Sequence, residues 1–149
     1  MDIYSSKVFE LSTTIKGINK TIDKASLYFA EASKYSKLCG SEISLGLIIN
    51  PELNVIIDFT IIPKACALGQ ASASVLSNHI IGAKINEIYD ARTKLFKMLK
   101  EDGPLPEGRF WELRYLENVK DYKMRHASVM LAWDAAIEAI EKVQLIASN

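Results

Sequence analysis

The chain has 149 residues, no formal net charge, 49% hydrophobic residues and 24% charged residues. These values fit a single globular domain, and the neutral charge argues against nucleic acid or an anionic membrane as a partner. No apolar run reaches the length of a membrane span, and residues 1–11 carry charges where a secretory signal would be apolar. We therefore expect a cytoplasmic protein whose two cysteines are reduced thiols.

The first part of the chain is predicted to be helical. Apolar residues recur at helical spacing between residues 2 and 35, and Gly17 is expected to separate two helices. We therefore describe residues 1–38 as a helical N-terminal extension and residues 39–149 as the core of one domain.

Two strands are predicted next. In residues 41–50 and again from residue 55, apolar side chains alternate with small or polar ones, which is the two-residue period of a half-buried strand. A turn at residues 50–54 joins them into an antiparallel hairpin over residues 41–62. Because two strands alone are marginally stable, a third strand is expected, and the pattern leaves its position open.

Helices follow the hairpin. The periodicity predicts helices at residues 66–82, 84–101 and 126–146, with a short helical turn at residues 110–116. The order indicates an α+β fold in which a small antiparallel sheet packs against several helices.

Three residues are candidates for chemistry, namely Cys39, Cys66 and His126. Cys39 precedes the first strand of the hairpin and Cys66 follows the second, so both thiols should meet at one edge of the sheet. Cys66 also opens a helix, whose free N–H groups favour a thiolate as nucleophile or ligand. His126 opens the last helix. Each residue can equally be an ordinary packing residue.

Motifs of common enzymes are missing. The sequence contains neither a glycine-rich phosphate loop nor a Gly-x-Ser-x-Gly motif, and we expect no enzymatic activity. A nucleophilic pair of one cysteine with His126 remains an open alternative, as does an unrelated zinc protein.

The motifs around the cysteines resemble the iron–sulfur cluster assembly scaffold family of the IscU/NifU N-terminal type. That family has Cys-Gly-Asp before a strand, where this chain has Cys39-Gly40-Ser41. A second family cysteine opens a helix rich in Ala and Ser, which residues 66–74 match in a form similar to the SufU branch. The family's Leu-Ala-x-Asp-Ala motif is matched by residues 131–135. The resemblance implies an IscU/NifU-like fold for the core.

The chain departs from the family pattern at two ligands. Ser41 stands where the family has an aspartate, and the third cysteine is absent. Its position falls on Ala127 or on Ser128, depending on the motif that is aligned, and His126 matches the histidine before it. The resemblance therefore implies a reduced ligand set for a metal or cluster, made of Cys39, Cys66 and His126.

The resemblance implies a scaffold that binds iron, zinc or a labile [2Fe–2S] cluster and transfers the cluster to acceptor proteins. The implied partners are a cysteine desulfurase and cluster acceptors, while a chaperone and a homo-oligomer stay open. One alternative is a sulfur carrier that accepts a persulfide on Cys66. Another is a metal-free docking or regulatory module of the assembly machinery.

Overall fold

The computed structural model describes residues 3–148, so the predicted helix start at Asp2 and the two chain ends lie outside the described residues. The α+β fold predicted from the sequence is confirmed. None of the described helices is long and apolar enough to cross a lipid bilayer. The elements are α1 (Ser6–Ser12), β1 (Phe29–Ser36), β2 (Ser41–Asn50), β3 (Val55–Lys64), α2 (Ala67–His79), α3 (Ile85–Lys100), two 3-10 helices (Trp111–Asp121 and Lys123–Arg125) and α4 (His126–Ala147).

The three strands form one antiparallel sheet in the order β1–β2–β3. The predicted hairpin is β2–β3, and the expected third strand is β1, in which Ser36 lies opposite Ser41. At the other side of β2, Glu42 lies opposite Lys64. The end of β1, the start of β2 and the end of β3 therefore lie together at one end of the sheet. We call this row of strand ends the thiol edge because both cysteines flank it.

The helical prediction for residues 2–35 is correct for α1 and wrong for the rest of the described range. Gly17 and Asn19 have φ values of +78° and +52°, which an α-helix excludes. Their segment instead runs along β3, where the Asn19 N–H donates to the Ile61 carbonyl at 3.0 Å and the Ile61 N–H donates to the Gly17 carbonyl at 3.0 Å. Pairing with the sheet thus overrides the local apolar spacing.

β1 was missed because its buried side chains are small. Ala30 and Ala32 are buried while Glu31 and Ser33 are exposed, which is the period of a strand. Alanine is also the strongest helix former, so the sequence alone does not distinguish this strand from a helix. Pairing with β2 stabilises the strand. The sheet consequently includes residues of the predicted N-terminal extension.

Helix α4 packs on β1 and β2 and contacts α2. Trp133 of α4 is fully buried, and its indole N–H donates to the Ser72 hydroxyl of α2 at 3.0 Å. The Ser72 hydroxyl in turn donates to the Val129 carbonyl at 2.7 Å. These two bonds fix the first turns of α4 against α2, close to the thiol edge.

Candidate functional site

Cys39 lies in the short connection between β1 and β2. Gly40 completes this turn at a φ of +68°, a conformation that side chains of L-residues rarely adopt. Its N–H donates to the Ser36 carbonyl at 2.9 Å, which closes the turn. The half-buried Cys39 thiol donates to the Ser41 hydroxyl at 3.2 Å.

Cys66 occupies the N-cap position of α2 and is separated from the end of β3 by Ala65. Its carbonyl accepts a hydrogen bond from the Gln70 N–H at 2.8 Å, while its thiol makes no capping bond to the helix. The side chain is half-buried and free of any disulfide. The structure therefore brings Cys66 to the same edge of the sheet as Cys39.

Two serine hydroxyls connect the thiols. Ser41 Oγ lies 3.2 Å from Ser128 Oγ, and Ser128 Oγ lies 3.3 Å from Cys66 Sγ. Both serines are buried, with 2% and 0% of their surfaces exposed. A continuous series of contacts therefore runs from Cys39 through the serines to Cys66. Ala127 and Ser128 are the two candidates for the position of the missing third cysteine. Of the two, Ser128 is the residue that lies beside the cysteines.

Gly69 provides the space that Ser128 occupies. A Cβ atom at position 69 would lie 2.6 Å from Ser128 Oγ and 2.8 Å from the Cβ of Ala65, which is closer than non-bonded atoms approach. Helix α2 can therefore come this close to α4 only with glycine here. Gly69 was not among the predicted site residues, and the only sign of its role in the sequence is the run of small residues in α2.

The thiol of Cys39 is more acidic than an ordinary cysteine. Burial raises the pKa of this thiol, but hydrogen bonds from Ser36, Ser41 and Ser128 together outweigh burial and lower the pKa from 9.0 to about 7. The hydroxyls, and the backbone N–H of Ser41, donate to the sulfur once it is a thiolate. Cys39 is therefore partly a thiolate at neutral pH, which favours metal binding and nucleophilic attack.

His126 makes different contacts. It is buried, and its Nε2 donates to the carbonyls of Val119 at 2.9 Å and Lys120 at 3.1 Å. A carbonyl oxygen only accepts, so Nε2 carries the hydrogen, and Nδ1 is buried without a partner among residues 3–148. The structure does not bring His126 into a ligand group with the thiols, and its role as a ligand stays a prediction.

The donor atoms at the thiol edge are two sulfur atoms and the hydroxyl oxygens of Ser36, Ser41 and Ser128. In the described part of the chain, no three His, Cys, Asp or Glu side chains lie close enough together to hold a metal ion. Thiolates bind iron and zinc and attack electrophilic sulfur, whereas a neutral hydroxyl mainly donates or accepts hydrogen bonds. One chain therefore supplies half of the four thiolates that are usual around an iron–sulfur cluster.

Comparisons with known proteins identify relatives of this chain. The profile of the family described as NifU-like N terminal domain matches residues 3–147. The chain is 31% identical over 105 residues to the iron–sulfur cluster assembly scaffold protein IscU of Thermotoga maritima, a match that covers 70% of this chain and 72% of that protein.

Solved structures show the same fold. The N-terminal part of a nitrogen-fixing NifU-like protein from Brucella abortus superposes with a TM-score of 0.89 at 40% identity, covering 96% of this chain and 95% of that one. A structure from Fervidobacterium islandicum AW-1, described as a scaffold protein for the SUF system, superposes with a TM-score of 0.78 at 24% identity, covering 93% and 96% of the two chains. At that identity the second match concerns the fold alone.

Proposed function

The chain belongs to the NifU-like N-terminal domain family, and on that basis we propose that it is a scaffold on which iron–sulfur clusters are assembled. Iron or a labile [2Fe–2S] cluster is the cargo of such a protein, and Cys39 and Cys66 are the residues that hold it. The proposed partners are a cysteine desulfurase that supplies sulfur and the acceptor proteins that receive the cluster. The proposed role is binding and transfer, without catalytic turnover.

One observation carries this proposal. Two thiols from distant parts of the sequence meet at the thiol edge, where Ser128 contacts Cys66 at 3.3 Å and also donates to Cys39. Both sulfur atoms therefore neighbour one oxygen atom, and both cysteines are partly exposed to solvent. Reduced, accessible and adjacent thiols are the kind of donor that iron–sulfur clusters bind.

The donor set also favours release of the cargo. Ser41 and Ser128 stand where thiolate or carboxylate ligands would strengthen binding, and neutral hydroxyls contribute little to it. Zinc is a weaker candidate cargo, because zinc usually takes at least three protein ligands and the described residues bring no third Cys, His, Asp or Glu side chain to the two thiols. An iron–sulfur cluster bound by few ligands exchanges readily, as a transfer protein needs.

A second candidate function has its own support. The lowered pKa of Cys39 makes this thiol a nucleophile at neutral pH, suited to accept a sulfane sulfur atom from a desulfurase. The sequence predicted Cys66 for that step, and its helix N-terminal position still supports it. Mass spectrometry after incubation with a desulfurase and cysteine decides between the two by locating the added sulfur atom on the peptide with Cys39 or with Cys66.

The scaffold proposal is tested by anaerobic reconstitution. The protein is incubated with iron, cysteine and a cysteine desulfurase, and visible absorption and metal content are measured. We expect sulfur-to-iron charge-transfer bands that disappear in both Cys39→Ser and Cys66→Ser. Ser33→Ala is the matched control, because Ser33 is exposed in the middle of β1, away from the thiol edge, and should leave the bands unchanged.

Transfer is the second readout. Mixing the loaded protein with an apo-acceptor should move the bands to the acceptor faster than free iron and sulfide build them. A folded wild-type protein that acquires neither bands nor iron would contradict the scaffold proposal and favour the metal-free docking module.

A further inference from the structure

We propose that a groove beside Cys39 binds a small polycarboxylate that carries iron, and that the thiols receive their iron from this anion. The inference rests on the proposed scaffold function and adds the chemical form in which the iron arrives. Ferric iron is a hard cation that prefers oxygen ligands, and carboxylates keep it in solution at neutral pH. With several carboxylates bound, such a complex is an anion.

The groove lies between the end of β1, helix α3 and helix α4, and its volume is about 920 Å³. It reaches the thiol edge at Leu38, the residue before Cys39. A second groove of about 660 Å³ adjoins it, because Lys100, Lys123 and His126 line both. A ligand at this end of the groove therefore lies next to the thiol edge.

The acidic side chains of the first groove lie away from the thiol edge. They are Asp134, Glu138 and Glu141 of α4, about 12–22 Å from the start of that helix at a rise of about 1.5 Å per residue. Asp134 pairs with Arg92 at 2.9 Å, and Glu138 pairs with Lys34 at 3.1 Å. The negative charge of the groove is therefore distant from the thiols and largely compensated.

The end of the groove near the thiols is positive. Lys37 lies two residues from Cys39, and Lys100 and Lys123 line both grooves. None of these three lysines forms an ion pair in the part of the chain that the structure describes. Asp121 of the second groove opposes them with one negative charge, and the other carboxylate there pairs with a lysine at 3.3 Å. The surplus of positive charge attracts an anion with several charges.

A buried nitrogen at the same end favours a bound ligand. His126 is 2% exposed and lines both grooves, and its Nδ1 has no partner among residues 3–148. Such an atom costs free energy, which a ligand recovers by donating an O–H to it or, when the ring is protonated, by accepting its N–H. His126 also begins the 22-residue helix α4, and a helix N-terminus favours an anion.

Iron passes from the anion to the protein by exchange of ligands. A bond from iron to a carboxylate oxygen breaks as a bond from iron to the Cys39 sulfur forms, and the thiol proton goes to solvent. The oxidation state of the iron does not change. Both irons of an oxidised [2Fe–2S] cluster are ferric, so a ferric chelate and sulfide need no further electron donor or acceptor.

The first test measures binding of the anion without iron. Citrate is the tricarboxylate probe, titrated at constant ionic strength and followed by calorimetry and 15N NMR. We expect saturable binding that shifts the amide signals of Lys37 and Lys123 and the Nδ1 signal of His126. Inorganic phosphate should bind at least about tenfold more weakly, because it carries fewer charges to share among the lysines. Equal or tighter binding of phosphate, or no saturation with citrate, would overturn the proposal.

Two double variants test the lysines. Lys100→Ala with Lys123→Ala removes two charges from the groove, and we expect citrate to bind about tenfold more weakly, since each exposed charge contributes modestly. Lys16→Ala with Lys97→Ala is the matched control, because these lysines are also exposed but line neither groove. Equal citrate affinity of the two double variants would contradict the proposal.

Delivery of iron is tested by the initial rate at which the charge-transfer bands form under anaerobic conditions. With ferric citrate and sulfide, we expect the groove variant to load about tenfold more slowly than the control variant, in line with its loss of affinity. With hydrated ferrous ion, cysteine and a desulfurase, the two variants should load equally fast.

The other outcomes separate this inference from the scaffold proposal. Equal rates with ferric citrate, in proteins that load from both iron sources, would overturn delivery by the anion and leave the scaffold function intact. Equal slowing of the groove variant with both sources would show that the lysines act on the thiol edge rather than on the chelate, which would also overturn it. No bands from either source in the folded wild-type protein would overturn the scaffold proposal and delivery together.

Discussion

Gly69→Ala tests whether the close approach of α2 and α4 holds the site together. The new Cβ would lie 2.6 Å from Ser128 Oγ and 2.8 Å from Ala65 Cβ, so that one of the helices must move. Overpacking costs about 1–3 kcal/mol and the better helix propensity of alanine returns at most about 1 kcal/mol, so we expect the free energy of unfolding to fall by about 1–2 kcal/mol.

The assay is urea unfolding followed by tryptophan fluorescence, since Trp133 is fully buried and becomes exposed on unfolding. The same substitution is made in a Ser128→Ala background, where the 2.6 Å contact has been removed and the 2.8 Å contact with Ala65 remains. We expect Gly69→Ala to be less damaging there by about 1 kcal/mol, a coupling typical of residues in contact. Equal losses in the two backgrounds would refute the argument that Ser128 needs the space.

Three further predictions concern single side chains. The rate of alkylation of Cys39 should rise with pH through a midpoint near 7, because the thiolate is the reacting form. In Ser41→Ala the midpoint should move towards 9.0, since one hydrogen bond to the thiolate is lost. An unchanged midpoint would contradict the role of the Ser41 hydroxyl. Ser72→Ala should lower the free energy of unfolding by about 1–3 kcal/mol, because the buried Trp133 N–H loses its acceptor, and should do so less in a Trp133→Phe background. His126→Ala should cost about 1–3 kcal/mol by leaving two carbonyls without a donor, yet preserve the cluster bands; bands lost from the folded variant would instead support His126 as a ligand.

The hairpin and the helices after it were predictable because each repeats one period over many residues. The alternation in residues 41–50 and 55–61 is strong, and β2 and β3 lie where it indicates. Once the hairpin is recognised, the meeting of Cys39 and Cys66 follows from topology alone. The order of elements was therefore sufficient to predict that the two thiols lie at the same end of the sheet.

The remainder depends on contacts between distant segments. The segment around Gly17 has helical spacing of apolar residues but bonds to β3, 42 to 44 positions away in the chain. The orientation of His126 depends on the carbonyls of the preceding 3-10 helix, which no periodicity predicts. The bond between Ser41 and Ser128 spans 87 positions. Such pairings are decided by packing, and one sequence carries no sign of them.

The two outer edges of the sheet are protected in different ways. Backbone of other segments covers β3. Residues 17–19 bond to Ile61, and the Gly82 N–H donates to the Ile56 carbonyl at 2.8 Å. Side chains cover β1, where Lys142 donates to the Glu31 carbonyl at 2.9 Å and Lys34 pairs with Glu138 at 3.1 Å. Charged residues on an edge strand oppose the addition of another strand, which is how sheet proteins avoid aggregation. Both outer strands of the sheet are therefore blocked from pairing with a strand of another molecule.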